Sequence, residues 1–255
     1  YVSGCVFDAW HTFAIGYNGQ WDSFWIHNNL FRNMVHPNQQ YIGEVLRNTW
    51  PGEAYTDTVS MVGNLMIGIN GYAAAPVSKW YMRYFQFDEN AVLFTFKNPF
   101  FIFNMTEGTM NDNIFYGNYA GGVDRAEDPW WDNLWYPDTS YGVIALQPLN
   151  PVNAIMFDAD GDTATEAGMA AIEAQRDIEI SGNSCYWPSD LTDFWSAYND
   201  TATNWVRTPV WMTDRTVAMF ADDASYPHLD AMDNDMSDPD LPASMLDDIL
   251  HGTAE

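Results

Sequence analysis

Basic residues are nearly missing from this chain. Its 255 residues include 2 Lys and 7 Arg against 26 Asp and 9 Glu, and the formal net charge is -26. Nine basic side chains are too few to form a basic surface stripe that displaces counterions from phosphates. Nucleic acid is therefore not an expected ligand. Only the neighbourhoods of Arg83, Lys97 and Arg125 could make a local exception. A surface rich in Asp and poor in Lys is typical of concentrated salt, and we expect a protein of a salt-loving organism or its virus. The alternative is an acidic surface that serves one cationic partner.

Cysteine is equally scarce, and the chain has only Cys5 and Cys185. Their separation fits neither a zinc pattern nor a CxxC redox pair. They could bridge an early strand to a late one, or both could be free thiols. The sequence leaves both alternatives open.

Long apolar runs and catalytic motifs are missing too. No run of 18 apolar residues occurs, so no membrane-spanning helix is expected. The sequence contains no nucleophile elbow, phosphate loop, dinucleotide fingerprint or HExxH motif, so we assign no catalytic residue and expect no enzyme activity. The histidines His11, His27 and His36 have no metal-ligand spacing, and we expect them to pack among aromatic residues.

Large apolar side chains are abundant, and they concentrate between Tyr81 and Met105. This stretch predicts three short strands of a buried sheet, with breaks at Asp88-Glu89-Asn90 and at Asn98-Pro99. The stretch 55–72 alternates with period 2, which predicts a strand that faces the core on one side; Gly63 and Gly68 would allow a bend or bulge. Ile178 and Ile180, which alternate with acidic residues, predict another strand.

Two short helices are also expected. Trp25, Leu30, Phe31 and Met34 approximate a helical stripe between positions 22 and 35. Thr163 and Glu166 form a capping box for a second helix that runs to about Ile178.

The segment 106–138 is rich in Gly, Asn, Asp and aromatic residues, which predicts a long loop inserted in the domain. Its aromatic cluster contains Trp130, Trp131 and Trp135. Such residues serve subunit interfaces, which we favour, and flat aromatic rings beside carboxylates also suit a sugar-binding platform. A satellite core beneath the loop is a third alternative.

Alternating acids at Asp158, Asp160 and Asp162, followed by Glu166, could gather oxygen ligands for calcium. The segment departs from an EF-hand loop because Thr163 replaces its Gly and Met169 replaces its bidentate Glu. A solvated acidic turn is the alternative that we favour. Calcium is therefore a possible cofactor. A weaker alternative is a haem-binding β-sandwich with ligands among the 13 Met, although no CxxCH motif supports covalent haem.

The last 34 residues, 222–255, carry ten acids and no Lys or Arg. They predict an extended acidic arm that follows a single domain of residues 1–221. Within the arm, Met245, Leu246, Ile249 and Leu250 share one face of a helical turn too short to persist alone, so this turn needs a docking surface on its own domain or on another subunit. The sequons at Asn104 and Asn199 would carry glycans only in an exported protein.

Many short strands, long loops and few helices predict an all-β protein, most simply a β-sandwich of the jelly-roll type. In the strand-rich block 58–105, the loop block 106–138 and the acidic arm, the chain resembles the single jelly-roll major capsid proteins of icosahedral viruses of halophilic archaea. The resemblance implies a structural protein that assembles with itself or related subunits in a virus particle. The alternative hypothesis is a secreted or surface protein of a halophile that binds or cleaves carbohydrate.

Overall fold

The structure of the chain is a computed structural model. The residues that the structure describes are 1–10, 13–17, 21–34, 43–48, 55–69, 71–72, 81–95, 100–102, 105–118, 144–146, 177–186, 210–212 and 229–230.

All regular elements of the described residues are strands. In chain order they are β1 (Val2–Ser3), β2 (Val6–Asp8), β3 (Phe13–Tyr17), β4 (Trp21–His27), β5 (Leu30–Arg32), β6 (Gly43–Asn48), β7 (Tyr55–Val62), β8 (Leu65–Ile69), β9 (Gly71–Tyr72), β10 (Tyr81–Asp88), β11 (Ala91–Thr95), β12 (Phe100–Ile102), β13 (Met105–Asn111), β14 (Ile114–Tyr116), β15 (Ile144–Leu146), β16 (Asp177–Ser181), β17 (Ser184–Tyr186), β18 (Val210–Met212) and β19 (Leu229–Asp230).

Strands that pair with each other are three positions apart in chain order. The front sheet has seven strands in the order β1-β4-β7-β10-β13-β16-β19, and the side sheet has six in the order β17-β14-β11-β8-β5-β2. Two three-stranded sheets, β3-β6-β9 and β12-β15-β18, take the third position. Each ladder between described strands is parallel. The chain therefore winds as a parallel β-solenoid, in which one rung is a front strand, a side strand and a third strand.

A left-handed backbone corner joins each front strand to the side strand that follows. Six corner residues have φ between 56° and 65°, and each precedes the first residue of the side segment: Gly4, Asn28, Gly63, Glu89, Asp112 and Gly182. Asn tolerates this conformation better than most residues, and Gly adopts it freely. A Cβ at Gly63 would also collide with the carboxamide of Asn28 in the neighbouring rung, and a Cβ at Gly182 would collide with the carboxylate of Asp112. The chain thus turns from front to side at the same place in every rung.

An asparagine follows five of the six corners, and its side chain is buried: Asn29, Asn64, Asn90, Asn113 and Asn183 are 0–3% exposed. At each of these positions the amide Nδ2 donates to a backbone carbonyl of the preceding rung, as Asn90 Nδ2 does to Met61 O at 2.8 Å. Its Oδ1 accepts the backbone N–H of the residue at the same position in the preceding rung, as in Asn64 N to Asn90 Oδ1 at 2.9 Å. Because both amide atoms of each asparagine are bonded, its burial leaves neither atom without a partner, and the stack locks the register of successive rungs.

The first rung has a cysteine where the ladder has asparagines. Cys5 N donates to Asn29 Oδ1 at 3.0 Å, the same bond that the N–H groups of Asn29, Asn64, Asn90 and Asn113 make to the next rung. Cys5 precedes β2, at one edge of the side sheet, whereas Cys185 lies in β17 at the other edge. Five strand spacings separate these edges, or roughly 24 Å. A disulfide needs Cα atoms within about 7 Å, so the two cysteines of one chain do not pair, and Cys5 is free.

The solenoid interior is filled by one aliphatic or aromatic layer per rung. Front strands contribute alternate residues and side strands their second residue, with exposures of 0–1%: Ile26, Phe31, Val59, Met61, Met66, Phe85, Phe87, Val92, Met110, Phe115, Ile178 and Ile180. The rings of Phe7 and Phe31 stack in adjacent rungs with centroids 4.7 Å apart. Burial of this kind contributes about 1.5–3 kcal/mol per large side chain, so the interior carries most of the stability.

Several strand predictions are confirmed. The stretch from Tyr81 forms three strands, β10, β11 and β12, and its first break lies at Asp88-Glu89-Asn90. The Ile178 and Ile180 strand is β16, with both isoleucines buried. In 55–72 the predicted inward positions of Val59 and Met61 in β7 are confirmed. After Gly63 the alternation of inward and outward side chains shifts by one residue. Met66 is buried, and Leu65 and Ile67 are half-exposed, so the single-face prediction is wrong for β8.

The all-β prediction is confirmed in the described residues, and the jelly-roll prediction is not. A jelly roll pairs its strands antiparallel, whereas these strands pair in parallel with the strand one rung away. The helix predicted at 22–35 is wrong, because β4 and β5 occupy that stretch and Asn28-Asn29 makes the corner between them. The loop predicted from 106 starts too early, since β13 and β14 extend to Tyr116.

The remaining predictions about helix, loop and arm lie mainly outside the described residues. These are the helix from Thr163, the Trp-rich part of the loop and most of the acidic arm. Asp177 and Ile178, near the expected end of that helix, belong to β16. Within the arm, β19 adds a seventh strand to the front sheet by pairing with β16.

Candidate functional site

The outward surface of the front sheet, which we call the front face, carries the densest polar array among the described residues. Side chains alternate across each strand, so Phe85 and Phe87 point inward while Tyr84 and Gln86 point outward. Parallel registry aligns outward residues of successive rungs in columns about 4.8 Å apart. One column contains Trp25, Ser60, Gln86, Thr109 and Glu179. Another contains Ser23, Thr58, Tyr84, Glu107 and Asp177.

The end of the front face at β4 is aromatic. Its Trp25 is 39% exposed, so part of a large apolar ring faces solvent. The imidazole of His27 lies edge-on to the rings of Trp25 and Tyr1, with centroid distances of 6.0 and 5.7 Å. The prediction that His27 packs among aromatic residues is confirmed. The aromatic end thus combines a flat apolar ring with a hydrogen-bonding heterocycle.

A chain of hydrogen bonds crosses the middle of the front face. His27 Nε2 and Ser60 Oγ are 2.8 Å apart, and Ser60 Oγ donates to Gln86 Oε1 at 2.8 Å. Gln86 Nε2 then donates to Asp88 Oδ2 at 2.8 Å. We call these four residues the relay. It joins three rungs, because its members lie on β4, β7 and β10.

Asp88 is held by the next rung as well. Thr109 Oγ1 donates to Asp88 Oδ2 at 2.8 Å, and the backbone N–H of Asn111 donates to Asp88 Oδ1 at 2.8 Å. Beyond it, Asn111 Nδ2 donates to Glu179 Oε1 and Ser181 Oγ donates to Asn111 Oδ1. The polar array therefore spans five strands, roughly 19 Å, and its side chains hold each other in place.

An ion triad joins neighbouring strands of the front sheet. Arg83 donates to both oxygens of Asp57, at 2.7 and 3.1 Å, and to Glu107 Oε2 at 2.8 Å. The three side chains come from β7, β10 and β13 and are each about two-fifths exposed. Two carboxylates thus surround the guanidinium of Arg83, which rules it out as a free anion-binding group. With Asp177 and Glu179 exposed further along, the front face is net acidic.

Ser60 and His27 resemble a nucleophile and base by distance alone. Ser60 is 0% exposed, however, and its hydroxyl donates to Gln86 rather than to the imidazole. A serine nucleophile must reach substrate and transfer its proton to the histidine. This pair therefore does not provide acyl-transfer chemistry.

A second ion pair lies on the side sheet. Arg32 Nη2 and Asn33 Nδ2 donate to the two oxygens of Asp8 at 2.8 and 2.9 Å. The hydrogen bond from Arg32, followed by that from Asn33, holds the pKa of the Asp8 carboxyl below its usual value of 3.8. Because the folded pKa is depressed, the contribution to stability is present above pH 3.8 and disappears as the pH falls through the folded pKa.

Asp8→Asn should therefore lower stability slightly near pH 6 and by less near pH 2.5, because protonation of the wild-type carboxyl removes the ion pair as the pH falls. Urea unfolding at these two pH values, in the lowest salt that keeps the protein folded, measures the effect. A loss that is larger at the lower pH would contradict the assignment.

Other predicted site residues lie outside the described residues. This applies to the calcium candidates Asp158, Asp160, Asp162 and Glu166, to Trp130, Trp131 and Trp135, and to Met245, Leu246, Ile249 and Leu250. It also applies to His11 and His36 and to the sequons at Asn104 and Asn199. In the part of the chain that the structure describes, no group of three or more His, Cys, Asp or Glu side chains could hold a metal ion.

Comparisons with known proteins give no relative. No family model, no curated protein and no solved structure matches this chain. Among the described residues, no helix is long and apolar enough to cross a membrane.

Sequence reasoning missed the front face because its residues are far apart along the chain. Ser60 is 33 residues from His27, and Gln86 is 26 residues from Ser60. The signal that could have found them is the corner pair, a turn-forming residue followed by Asn. Aligning these pairs places Trp25, Ser60, Gln86, Thr109 and Glu179 at one common offset, four residues before the ladder position.

Proposed function

We propose that this chain is an extracellular protein of a high-salt environment that binds a carbohydrate polymer along its front face. The supporting observation is the continuous array of hydroxyl, amide and carboxylate groups beside the exposed ring of Trp25. A glycan presents many hydroxyls at regular intervals, and the parallel rungs present donors and acceptors at regular intervals of about 4.8 Å. Solenoids commonly use such extended surfaces for binding.

The chemistry of the front face favours a glycan over other polymers. Nucleic acid and strongly anionic polymers would be repelled by a face whose guanidinium, Arg83, is already held by two carboxylates. The cores of protein interfaces are depleted of Asp and Glu, whereas this face is rich in both. Its side chains are ordered by their mutual bonds before any ligand arrives, which lowers the entropy cost of binding.

The capsid hypothesis stays a prediction. It depended on an expected jelly roll, which the described strands do not form, and on aromatic and apolar segments that lie outside the described residues. Salt-adapted composition is common to both hypotheses, so it does not distinguish them. Static light scattering in molar KCl, over a range of protein concentration, is the direct test of self-assembly.

Trp25→Ala should weaken glycan binding by about tenfold or more, because truncating an aromatic hot-spot residue of a binding surface commonly costs about 2 kcal/mol or more. Calorimetric titration in molar KCl with cello-, manno- and xylo-oligosaccharides measures the affinity. Tyr186→Ala is the matched control, since it removes an aromatic ring from the outward surface of the side sheet. Wild-type protein that binds no glycan, or equal losses in both variants, would overturn the proposal.

A further inference from the structure

We propose that the relay fixes the imidazole of His27 in the tautomer that carries its proton on Nε2, so that Nδ1 accepts a hydroxyl group of the bound glycan. The inference rests on the proposed function, because it assigns a specific contact within the same face. It makes His27 a ligand-contacting residue and Asp88, two rungs away, a positioning residue. The chemical class that it implies is a neutral glycan that donates a hydroxyl beside Trp25.

The donor and acceptor of every hydrogen bond in the relay follow from Asp88, its last residue. The carboxylate of Asp88 accepts hydrogen bonds and has no proton to donate. Gln86 must therefore direct its Nε2 toward Asp88, which leaves Oε1 toward Ser60. Since Oε1 can only accept, the hydroxyl of Ser60 donates to it, and the remaining lone pair of Oγ faces His27.

His27 is consequently the donor of the first bond. Its Nε2 lies 2.8 Å from Ser60 Oγ, and that oxygen has already used its single proton. A neutral imidazole with a proton on Nε2 has an unprotonated Nδ1, which accepts hydrogen bonds. No described residue donates to Nδ1, so this nitrogen keeps its acceptor capacity for a ligand.

The position of Nδ1 suits a sugar hydroxyl. Trp25 and His27 are outward residues of the same strand, and their rings meet edge-on at 6.0 Å. A pyranose stacked on the exposed indole would bring its hydroxyls to the level of the imidazole. Asp88 already accepts three bonds, from Gln86, Thr109 and Asn111, so its carboxylate serves the relay rather than the ligand.

Asp88→Asn reverses the relay. The backbone N–H of Asn111 cannot turn away, so the substituted amide must face it with its oxygen and must present its NH2 group to Gln86. Gln86 then flips, Ser60 donates toward His27, and the imidazole proton moves to Nδ1. The side-chain nitrogen resonances of His27, one of 5 histidines, report this change directly at about pH 8, where histidine is ordinarily neutral.

The experiment compares wild type, Asp88→Asn and Asp8→Asn in molar KCl. Asp8→Asn is the matched control, because it makes the same change of an acid to an amide on the side sheet, outside the front face and outside the relay. We expect Nε2–H imidazole in wild type and Asp8→Asn, and Nδ1–H imidazole in Asp88→Asn. Affinity for the neutral hexasaccharide that wild type binds best should fall about tenfold or more in Asp88→Asn alone.

The outcomes separate this inference from the proposed function. Nδ1–H imidazole in wild type, or an unchanged tautomer in Asp88→Asn, overturns the relay. A changed tautomer with unchanged affinity overturns the contact between His27 and the glycan, while Trp25-dependent binding still supports the proposed function. Absence of glycan binding by wild type overturns the glycan contact and the proposed function together, whatever the tautomer.

Discussion

Asn90→Ala is expected to lower the free energy of unfolding by about 2–6 kcal/mol, a large share of the roughly 5–15 kcal/mol that a folded domain has. The substitution removes the amide that accepts Asn64 N–H and donates to Met61 O. Both backbone groups would then be buried without this partner, at about 1–3 kcal/mol each. Asn90 is 1% exposed, so water cannot replace the lost bonds without opening the interior.

Asn111→Ala is the control. Asn111 lies beside the left-handed corner of the next rung, as Asn90 lies beside the corner of its own rung, but Asn111 is half-exposed. Its side chain bonds to Ser181 and Glu179 on the front face, where water can take over. We expect a loss of about 1 kcal/mol or less. Urea unfolding followed by circular dichroism in molar KCl measures both variants. Equal losses would show that the buried ladder contributes no more than a surface amide.

Transfer from molar KCl to dilute buffer is expected to lower the melting temperature by on the order of 10 °C or more, or to unfold the protein outright. The net charge of -26 is confined to 255 residues, and the Debye length rises from about 3 Å at 1 M salt to about 30 Å at 0.01 M. Carboxylates that are screened from each other in molar salt would repel across several rungs in dilute buffer.

Sucrose serves as the control for this prediction, because it stabilises compact states without screening charge. Calorimetry in dilute buffer, in dilute buffer with sucrose and in molar KCl should show the largest rise with KCl. Equal melting temperatures in dilute buffer and molar KCl would refute the role of charge.

The repeat that builds the solenoid was readable in the sequence but irregular. The ladder positions, from Cys5 onward, are separated by 24, 35, 26, 23 and 70 residues, so no fixed period reveals them. The constant feature is short and local. A corner residue that is Gly, Asn, Asp or Glu precedes Asn, and an apolar or small residue follows. Asp233-Asn234 repeats the pair of corner residue and Asn in the sequence, although the charged Asp235 follows it.

The buried asparagines also explain why the outward and inward faces were misjudged. The period-2 alternation over 55–72 puts Asn64 on the polar side, opposite Val59 and Met61, and an isolated Asn is costly to bury. It is buried because asparagines of neighbouring rungs and backbone carbonyls bond both of its amide atoms. Those partners are 26–38 residues away along the chain and become visible only once the rungs are stacked.

The sequence by itself determined the strands around Phe85 and Ile178, because alternation of large apolar side chains with polar ones requires an extended chain with one buried side. It also determined the acidic charge. Tertiary structure decided the parallel pairing, because the same alternation of side chains fits both a β-sandwich and a β-solenoid. Only the left-handed corners and the stack of asparagines from Asn29 to Asn183 select the solenoid. The front face has the same origin: Trp25, Ser60, Gln86 and Glu179 form one surface because each rung returns the chain to the same sheet at a spacing set by backbone hydrogen bonds.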